Sequence, residues 1–101
     1  MFILMNWRII DMVDYENMVG KFLCHRKDAP MDDGLIYRVT SSRIYYTNCG
    51  DRWITKQDFE NRTGLDGKTL WFWVQDGPID TILWNPNIIE KVKKEKKILT
   101  V

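Results

Sequence analysis

A run of five apolar residues, from Leu70 to Val74, places the strongest constraint on how this chain folds. Successive side chains of a strand point to opposite faces of the sheet, so Leu70, Phe72 and Val74 would share one face. Trp71 and Trp73 would then lie on the other face. A strand with one face in water carries polar residues on that face, and this run has none. It therefore predicts either a strand covered on both faces or a strand that leaves two tryptophans exposed for a partner.

Length and composition indicate one globular domain, residues 1–101. Hydrophobic residues make up 45% and charged residues 29% of the sequence, a balance typical of folded rather than disordered proteins. The apolar start, Met1 to Met5, is interrupted by Asn6 and Arg8 and is too short for a signal sequence or a membrane span. The two cysteines are too few for a disulfide scaffold. We therefore expect a cytoplasmic protein with reduced thiols and no membrane contact.

Charged residues are distributed unevenly along the chain. Residues 1–89 contain ten Lys and Arg against twelve Asp and Glu, whereas residues 90–101 contain five Lys against two Glu. A nucleic-acid-binding domain usually carries positive charge over a whole face, and this acidic body does not indicate one. Only a fold that brings scattered cations together would create such a face.

Short β-like runs separated by turn residues account for most of the chain. The predicted strands cover residues 2–10, 19–26, 35–40, 43–47, 52–54, 70–74, 79–84 and 98–101. The strands over 35–40 and 43–47 form the clearest hairpin, because their apolar residues alternate with polar ones around a Ser-Ser turn. The Asp, Pro and Gly residues of segment 28–34 predict a loop.

Two helices are predicted from their capping residues. Thr55, with Asp58 three residues later, is typical of the start of a short helix over 56–62. Asn85, followed by a proline, favours the start of a basic C-terminal helix over 86–97. The apolar stripe of this second helix comprises Ile88, Ile89 and Val92.

The middle of the chain resembles the meander of an SH3-like barrel. The resemblance rests on the patterns of residues 36–39, 43–46 and 52–59, and it implies a fold without implying a function. Short strands at regular spacing favour the same class. We predict a mainly β fold, either a small SH3-like barrel or a strongly curled antiparallel sheet. It would carry one short internal helix and a C-terminal basic helix. The alternative is an α+β fold. We place Trp53 and Phe59 in the core.

Residues with catalytic or metal-binding chemistry are few. Cys24 and His25 are adjacent, so on a strand they point to opposite faces and cannot form a dyad. Cys49 lies in a predicted turn. A catalytic thiol would therefore require Cys49 to pair with His25 across strands. These three residues lack a fourth ligand for structural zinc, and Asp32 and Asp33 are expected to be solvated in their loop. We predict no enzymatic activity, no metal and no cofactor.

Large aromatic side chains are the candidates for binding a partner, because tryptophan and tyrosine dominate many interfaces. The predicted partner-binding residues are Trp71, Trp73, Trp84 and Tyr45. The alternative for Trp71 and Trp73 is burial beneath the C-terminal helix, whose apolar stripe needs a surface to cover. The candidates for contacts with nucleic-acid phosphates are Lys91, Lys93, Lys94, Lys96 and Lys97. Their alternative is the solvated face of a helix.

These observations predict a small non-enzymatic protein that binds another macromolecule, with a protein as the favoured partner. Short, aromatic-rich domains without catalytic motifs resemble the accessory proteins with which bacterial viruses inhibit or redirect host machinery. A nucleic-acid-binding β-barrel module is the competing class, and its binding would depend strongly on salt. Self-association through the face of Trp71 and Trp73 is a further expectation.

Overall fold

A computed structural model describes residues 13–63 and 71–99 of the chain. Within these ranges the fold is mainly β, built on one antiparallel sheet with the strand order β4-β3-β2-β1-β5. The strands are β1 (Phe22–Arg26), β2 (Pro30–Val39), β3 (Arg43–Thr47), β4 (Asp51–Thr55) and β5 (Phe72–Gln75). The helices are a 3-10 turn (Tyr15–Asn17), α1 (Lys56–Asn61) and α2 (Pro86–Glu95).

The sheet is a four-stranded meander to which a fifth strand is added. Strands β1 to β4 pair in chain order, and β5 pairs with β1 at the opposite edge from β4. The backbone N–H of Trp71 donates to the carbonyl of Arg62 at 2.7 Å, so the end of α1 lies beside the start of β5. The five described strands form an open sheet, which confirms the mainly β prediction but does not confirm closure into an SH3-like barrel.

One face of the sheet packs against α1 and the segment before β1. We call this cluster the first core, and Phe59 of α1, only 2% exposed, lies at its centre. Its other buried members are Val13, Met18, Leu23, Ile36, Ile44 and Tyr46. The ring of Phe59 contacts Tyr15 and Phe72, with centroids 6.5 and 6.3 Å apart. The predicted core position of Phe59 is therefore confirmed.

The opposite face packs against α2 and the turn that precedes it. This second core contains Phe22 and Cys24 of β1, Leu35 of β2, and Trp84. Its partly buried members are Trp73, Ile89, Val92 and Ile98. Phe72 and Val74 pack on the first core while Trp73 packs on the second, so β5 is covered on both faces. The alternation predicted from the sequence is confirmed for Phe72, Trp73 and Val74; Trp71 precedes the strand, and Leu70 lies outside the described residues.

Both helices begin where their capping residues predict. The side-chain oxygen of Thr55 accepts a hydrogen bond from the N–H of Asp58 at 3.0 Å. The side-chain oxygen of Asn85 accepts one from the N–H of Ile88 at 3.1 Å. Each bond satisfies a backbone donor that has no partner within the first turn of the helix. Both helices end slightly earlier than predicted, at Asn61 and Glu95.

Four predicted segments are wrong or fall outside the described residues. The expected loop over 28–34 is mostly strand, because β2 begins at Pro30 and pairs with β1. The expected strand over 79–84 is a turn. Ile98 does not start a strand; its N–H donates to the carbonyl of Lys93 at 2.8 Å and so closes the end of α2. The predicted strand over 2–10 lies outside the described residues.

Candidate functional site

The three tryptophans predicted to bind a partner lie in different environments. Trp84 is 7% exposed and packs edge-on against Phe22, with ring centroids 5.0 Å apart. Trp73 is partly buried against the same second core. Trp71 stacks instead on His25, with centroids 5.8 Å apart. Since His25 and its neighbour on β1 point to opposite faces, Trp71 and Trp73 do not share one exposed face.

Two aspartates fix the backbone of the turn that follows β5. The Asp32 carboxylate accepts hydrogen bonds from the N–H groups of Ile79 and Asp80, both at 2.8 Å. The Asp80 carboxylate accepts from the N–H groups of Ile82 and Leu83 at 3.1 and 3.0 Å. Such local bonds from an aspartate favour a turn over a strand. This explains why the predicted strand over residues 79–84 does not form.

The same turn presents exposed hydrophobic side chains. Ile82 is 84% exposed and Leu83 is 69% exposed. Met31 and Ile79 are also exposed, and together with Leu83 and Trp84 they line a cavity of about 220 Å³. We call Met31, Ile79, Ile82 and Leu83 the apolar turn surface.

Tyr45 and Trp53 form the centre of a second surface, on β3 and β4. They are directly opposite each other in the antiparallel register, so both project from the face that carries the second core. Trp53 is 48% exposed, and the guanidinium of Arg43 lies 3.9 Å from the centre of its ring. The predicted core position of Trp53 is therefore wrong. Helix α2 covers the β1 and β2 part of this face and leaves the β4 part to the solvent.

A β-bulge in β2 brings two more side chains to this surface. Ile36 pairs with Tyr46 and Arg38 pairs with Tyr45, so Tyr37 is an extra residue in the ladder. Bulges of this kind redirect side chains that would otherwise alternate strictly between faces. The rings of Tyr37 and Tyr45 lie 6.2 Å apart, and the guanidinium of Arg38 lies 5.2 Å from the Tyr45 ring. Both neighbours therefore reach the same aromatic ring.

Lys96, which follows α2, completes this surface. Its ammonium lies 4.5 Å from the Tyr37 ring and 2.7 Å from the Asp51 carboxylate. The hydrogen bond to Asp51 raises the pKa of Lys96, so this lysine is fully charged at neutral pH. We call the set Tyr37, Tyr45, Trp53, Arg38, Arg43 and Lys96 the aromatic face.

The other predicted nucleic-acid-binding lysines lie at different distances from the aromatic face. Lys93 and Lys97 line a groove of about 710 Å³ together with Tyr37. Lys91 and Lys94 are exposed on the solvent side of α2. The aromatic face thus contains one predicted partner-binding residue, Tyr45, and one predicted nucleic-acid-binding lysine, Lys96, with Lys93 and Lys97 in the adjoining groove.

His25 is paired with a buried carboxylate. Its Nδ1 lies 2.8 Å from Oδ1 of Asp33, and both side chains are largely buried. Asp33 is the extra residue of a bulge between β1 and β2, which brings it into the sheet rather than into a solvated loop. Burial raises the pKa of Asp33, and the nearby His25 opposes that shift. The solvated loop predicted for Asp33 and its neighbour is therefore wrong.

The two cysteines are separated in the fold. Cys24 is buried on the face opposite His25, and burial raises the pKa of its thiol. Cys49 is exposed in a turn with φ of 57°. The partner of His25 is Asp33, so the structure does not assemble a thiol with that imidazole. Among residues 13–63 and 71–99, no cluster of three His, Cys, Asp or Glu side chains is arranged to hold a metal ion.

Comparison of the chain with protein-family models, curated proteins and solved structures finds no match. Within the described part of the chain, no helix has the length and apolar character required to cross a bilayer. The functional interpretation therefore rests on the chemistry of the apolar turn surface and of the aromatic face.

Proposed function

We propose that this chain is a non-enzymatic binding protein whose partner is another protein, and that the apolar turn surface is where the partner docks. The observation that carries the proposal is the exposure of Ile82 and Leu83 on a turn whose backbone is fixed by two carboxylates. Single exposed hydrophobic side chains are common on soluble proteins, but adjoining ones beside a cavity are typical of interaction sites.

Rigidity of the turn strengthens this interpretation. Each of the Asp32 and Asp80 carboxylates accepts two backbone N–H groups of the turn. A turn held in this way loses little conformational entropy when a partner binds. Burial of one Leu or Ile side chain contributes roughly 1.5–3 kcal/mol, so two prearranged side chains provide a substantial driving force.

The adjacent cavity suits a protein side chain. At about 220 Å³ it is smaller than the pockets of about 300–1,000 Å³ that hold drug-sized ligands. Its apolar walls include Met31, Leu83 and Trp84, and its polar walls are Asp32, Asn48 and Asp80. An apolar side chain of the partner inserted here would form the desolvated centre that dominates interface energies.

Affinity capture with matched variants tests this proposal. We would capture partners of the tagged protein from lysate of its native cells and compare the wild type with Ile82→Ser and Leu83→Ser. The control is Leu99→Ser, because Leu99 is 91% exposed but lies outside the turn. All three variants should melt at the wild-type temperature.

We expect the two turn variants to lose the captured protein and the control to retain it. With the purified partner, each turn variant should bind at least about thirtyfold more weakly, the effect of a hot-spot side chain. Equal capture by all the variants would remove the apolar turn surface as the docking site. Sedimentation of the protein alone would show whether the captured partner is a second copy.

The narrower interpretations stay predictions from the sequence. They are the role of a viral accessory protein that inhibits host machinery, the cytoplasmic location, the SH3-like classification and self-association through Trp71 and Trp73. Partial burial of Trp73 against the second core leaves less of that side chain for self-association.

A further inference from the structure

We propose that the aromatic face is a second binding site, and that its ligand is single-stranded nucleic acid. The site is distinct from the apolar turn surface and does not depend on the protein-binding proposal. It rests on a juxtaposition on the sheet: three aromatic rings on three neighbouring strands, each with a cation close to its centre.

The rings form a row that crosses the strands. Tyr37 lies on β2, Tyr45 on β3 and Trp53 on β4. Tyr37 and Tyr45 are 6.2 Å apart, and Tyr45 is directly opposite Trp53. Tyr37 and Tyr45 are partly buried and Trp53 is 48% exposed. Accessible aromatic rings on a sheet are the platform on which several RNA- and DNA-binding folds stack unpaired bases. Stacking tolerates any sequence because every base has a π-face.

The cations beside the rings suit a phosphate backbone. Arg43 lies 3.9 Å from the centre of the Trp53 ring, Arg38 lies 5.2 Å from Tyr45, and Lys96 lies 4.5 Å from Tyr37. Arginine planes stack on bases as well as binding phosphates, so these side chains can contact either part of a nucleotide.

The charge of this face differs from the charge of the chain. Residues 1–89 carry more acidic than basic side chains, yet the fold places two of their arginines, Arg38 and Arg43, on this face beside Lys96 of the basic tail. Among the described residues, the acid that contacts these cations is Asp51, which is bonded to Lys96. The groove beside Tyr37 adds Lys93 and Lys97, together with Glu16 and an Asp76–Lys21 ion pair. A polyanion is therefore the complementary ligand for this face.

Single strands fit this arrangement better than duplexes. Bases in a duplex are stacked on each other and cannot lie on protein rings, whereas unpaired bases can. Contact with duplex phosphates alone would require the cations but give no role to the half-exposed ring of Trp53. Tyrosine, tryptophan and arginine also dominate protein interfaces, so a protein ligand is the outcome that the experiment must distinguish.

The test is fluorescence anisotropy with labelled RNA and DNA single strands of about ten nucleotides, and with the DNA duplex, at two salt concentrations. We expect the single strands to bind more tightly than the duplex. Tyr45→Ala and Trp53→Ala should each weaken binding by about five- to 150-fold, the range for loss of one stacked base. Trp53→Phe should retain much of the affinity because it keeps an aromatic ring.

Charge variants provide the matched control. Lys96→Gln and Lys94→Gln each remove one charge from the C-terminal helical segment, but only Lys96 lies over a ring of the aromatic face. We expect Lys96→Gln to weaken binding more, and Arg43→Gln to reduce the salt slope by about one. Ile82→Ser should bind nucleic acid normally, because it alters only the apolar turn surface.

Three results would overturn the proposal. They are the absence of single-strand binding at low salt, tighter binding to the duplex, or affinity unchanged in both Tyr45→Ala and Trp53→Ala. Capture of a protein that depends on Trp53, without any binding to the labelled strands, would reassign this face to a protein ligand. Thermal melts verify that each variant is folded.

Discussion

Replacement of Phe59 by alanine should destabilise the protein more than any change on its binding surfaces. Phe59 is 2% exposed and is enclosed by the rings of Tyr15 and Phe72, at 6.5 and 6.3 Å. Truncation of a buried phenylalanine removes its transfer free energy and leaves a cavity, at a combined cost of about 3–5 kcal/mol. Since domains of this size are stable by about 5–15 kcal/mol, the variant would lose a large part of its stability.

Urea unfolding and thermal melts followed by circular dichroism measure this effect. A loss of 3–5 kcal/mol corresponds to a decrease in Tm of roughly 12–40 °C for a chain of about this length. The matched control is Trp53→Ala, because Trp53 is a large aromatic residue that is 48% exposed and contacts the Arg43 guanidinium. Because about half of the Trp53 surface is already in water, its removal should cost clearly less than the removal of Phe59.

The result that would refute this reasoning is specific. If Phe59→Ala lost less than about 1 kcal/mol, or if Trp53→Ala lost as much as Phe59→Ala, the first core would be misassigned. An unchanged m-value in both variants verifies that the difference reports stability rather than a change in the unfolded state.

Three other changes test individual contacts. Gly34→Ala should destabilise by at least about 1–3 kcal/mol, because the new Cβ would lie 2.5 Å from the carbonyl oxygen of Thr47; an unchanged urea midpoint would contradict that close approach. Thr55→Ala should cost about 1 kcal/mol by removing the cap of α1, and Thr55→Ser should restore most of it. Asp33→Asn tests the buried carboxyl, whose raised pKa means that the folded state holds the proton more tightly than the unfolded chain does. The wild type should therefore lose stability relative to this variant as the pH rises above the ordinary aspartate pKa of about 3.9. If the unfolding free energies of the two proteins stay parallel across pH, Asp33 has the same pKa in the folded and unfolded states.

Local sequence determined the elements whose physics is local. The hairpin of β2 and β3 follows from alternating apolar residues, and the two helix starts follow from side chains that bond amides three residues ahead. The apolar run around Phe72, Trp73 and Val74 predicted either cover on both faces of the strand or tryptophans exposed for a partner, and packing on both cores decided for cover. These features depend on spacing along the chain, which the sequence contains.

Two aspartates show where local patterns mislead. In the sequence, Asp32 and Asp33 indicate a solvated loop. In the structure, a bulge places Asp33 beside His25. Asp32 accepts hydrogen bonds from backbone amides 47 and 48 residues further along the chain. Asp32 and Oδ1 of Asp33 find partners in this way, whereas Oδ2 of Asp33 is buried without a hydrogen-bond partner among the described residues. A polar pair thus became part of β2. The Asp80 bonds to Ile82 and Leu83 are local, and an Asp two residues before an apolar pair was the signal for this turn.

The tertiary structure alone decided which aromatic residues are exposed. Trp84 and Trp53 look alike in the sequence, yet Trp84 fills the second core, whereas Trp53 lies beyond the part of the sheet that α2 covers. The aromatic face likewise needs the register that sets Tyr45 opposite Trp53 and the bulge that turns Tyr37 to the same side. Burial and cross-strand contact depend on how separate elements pack, and a periodic pattern specifies the face of a residue without specifying what covers that face.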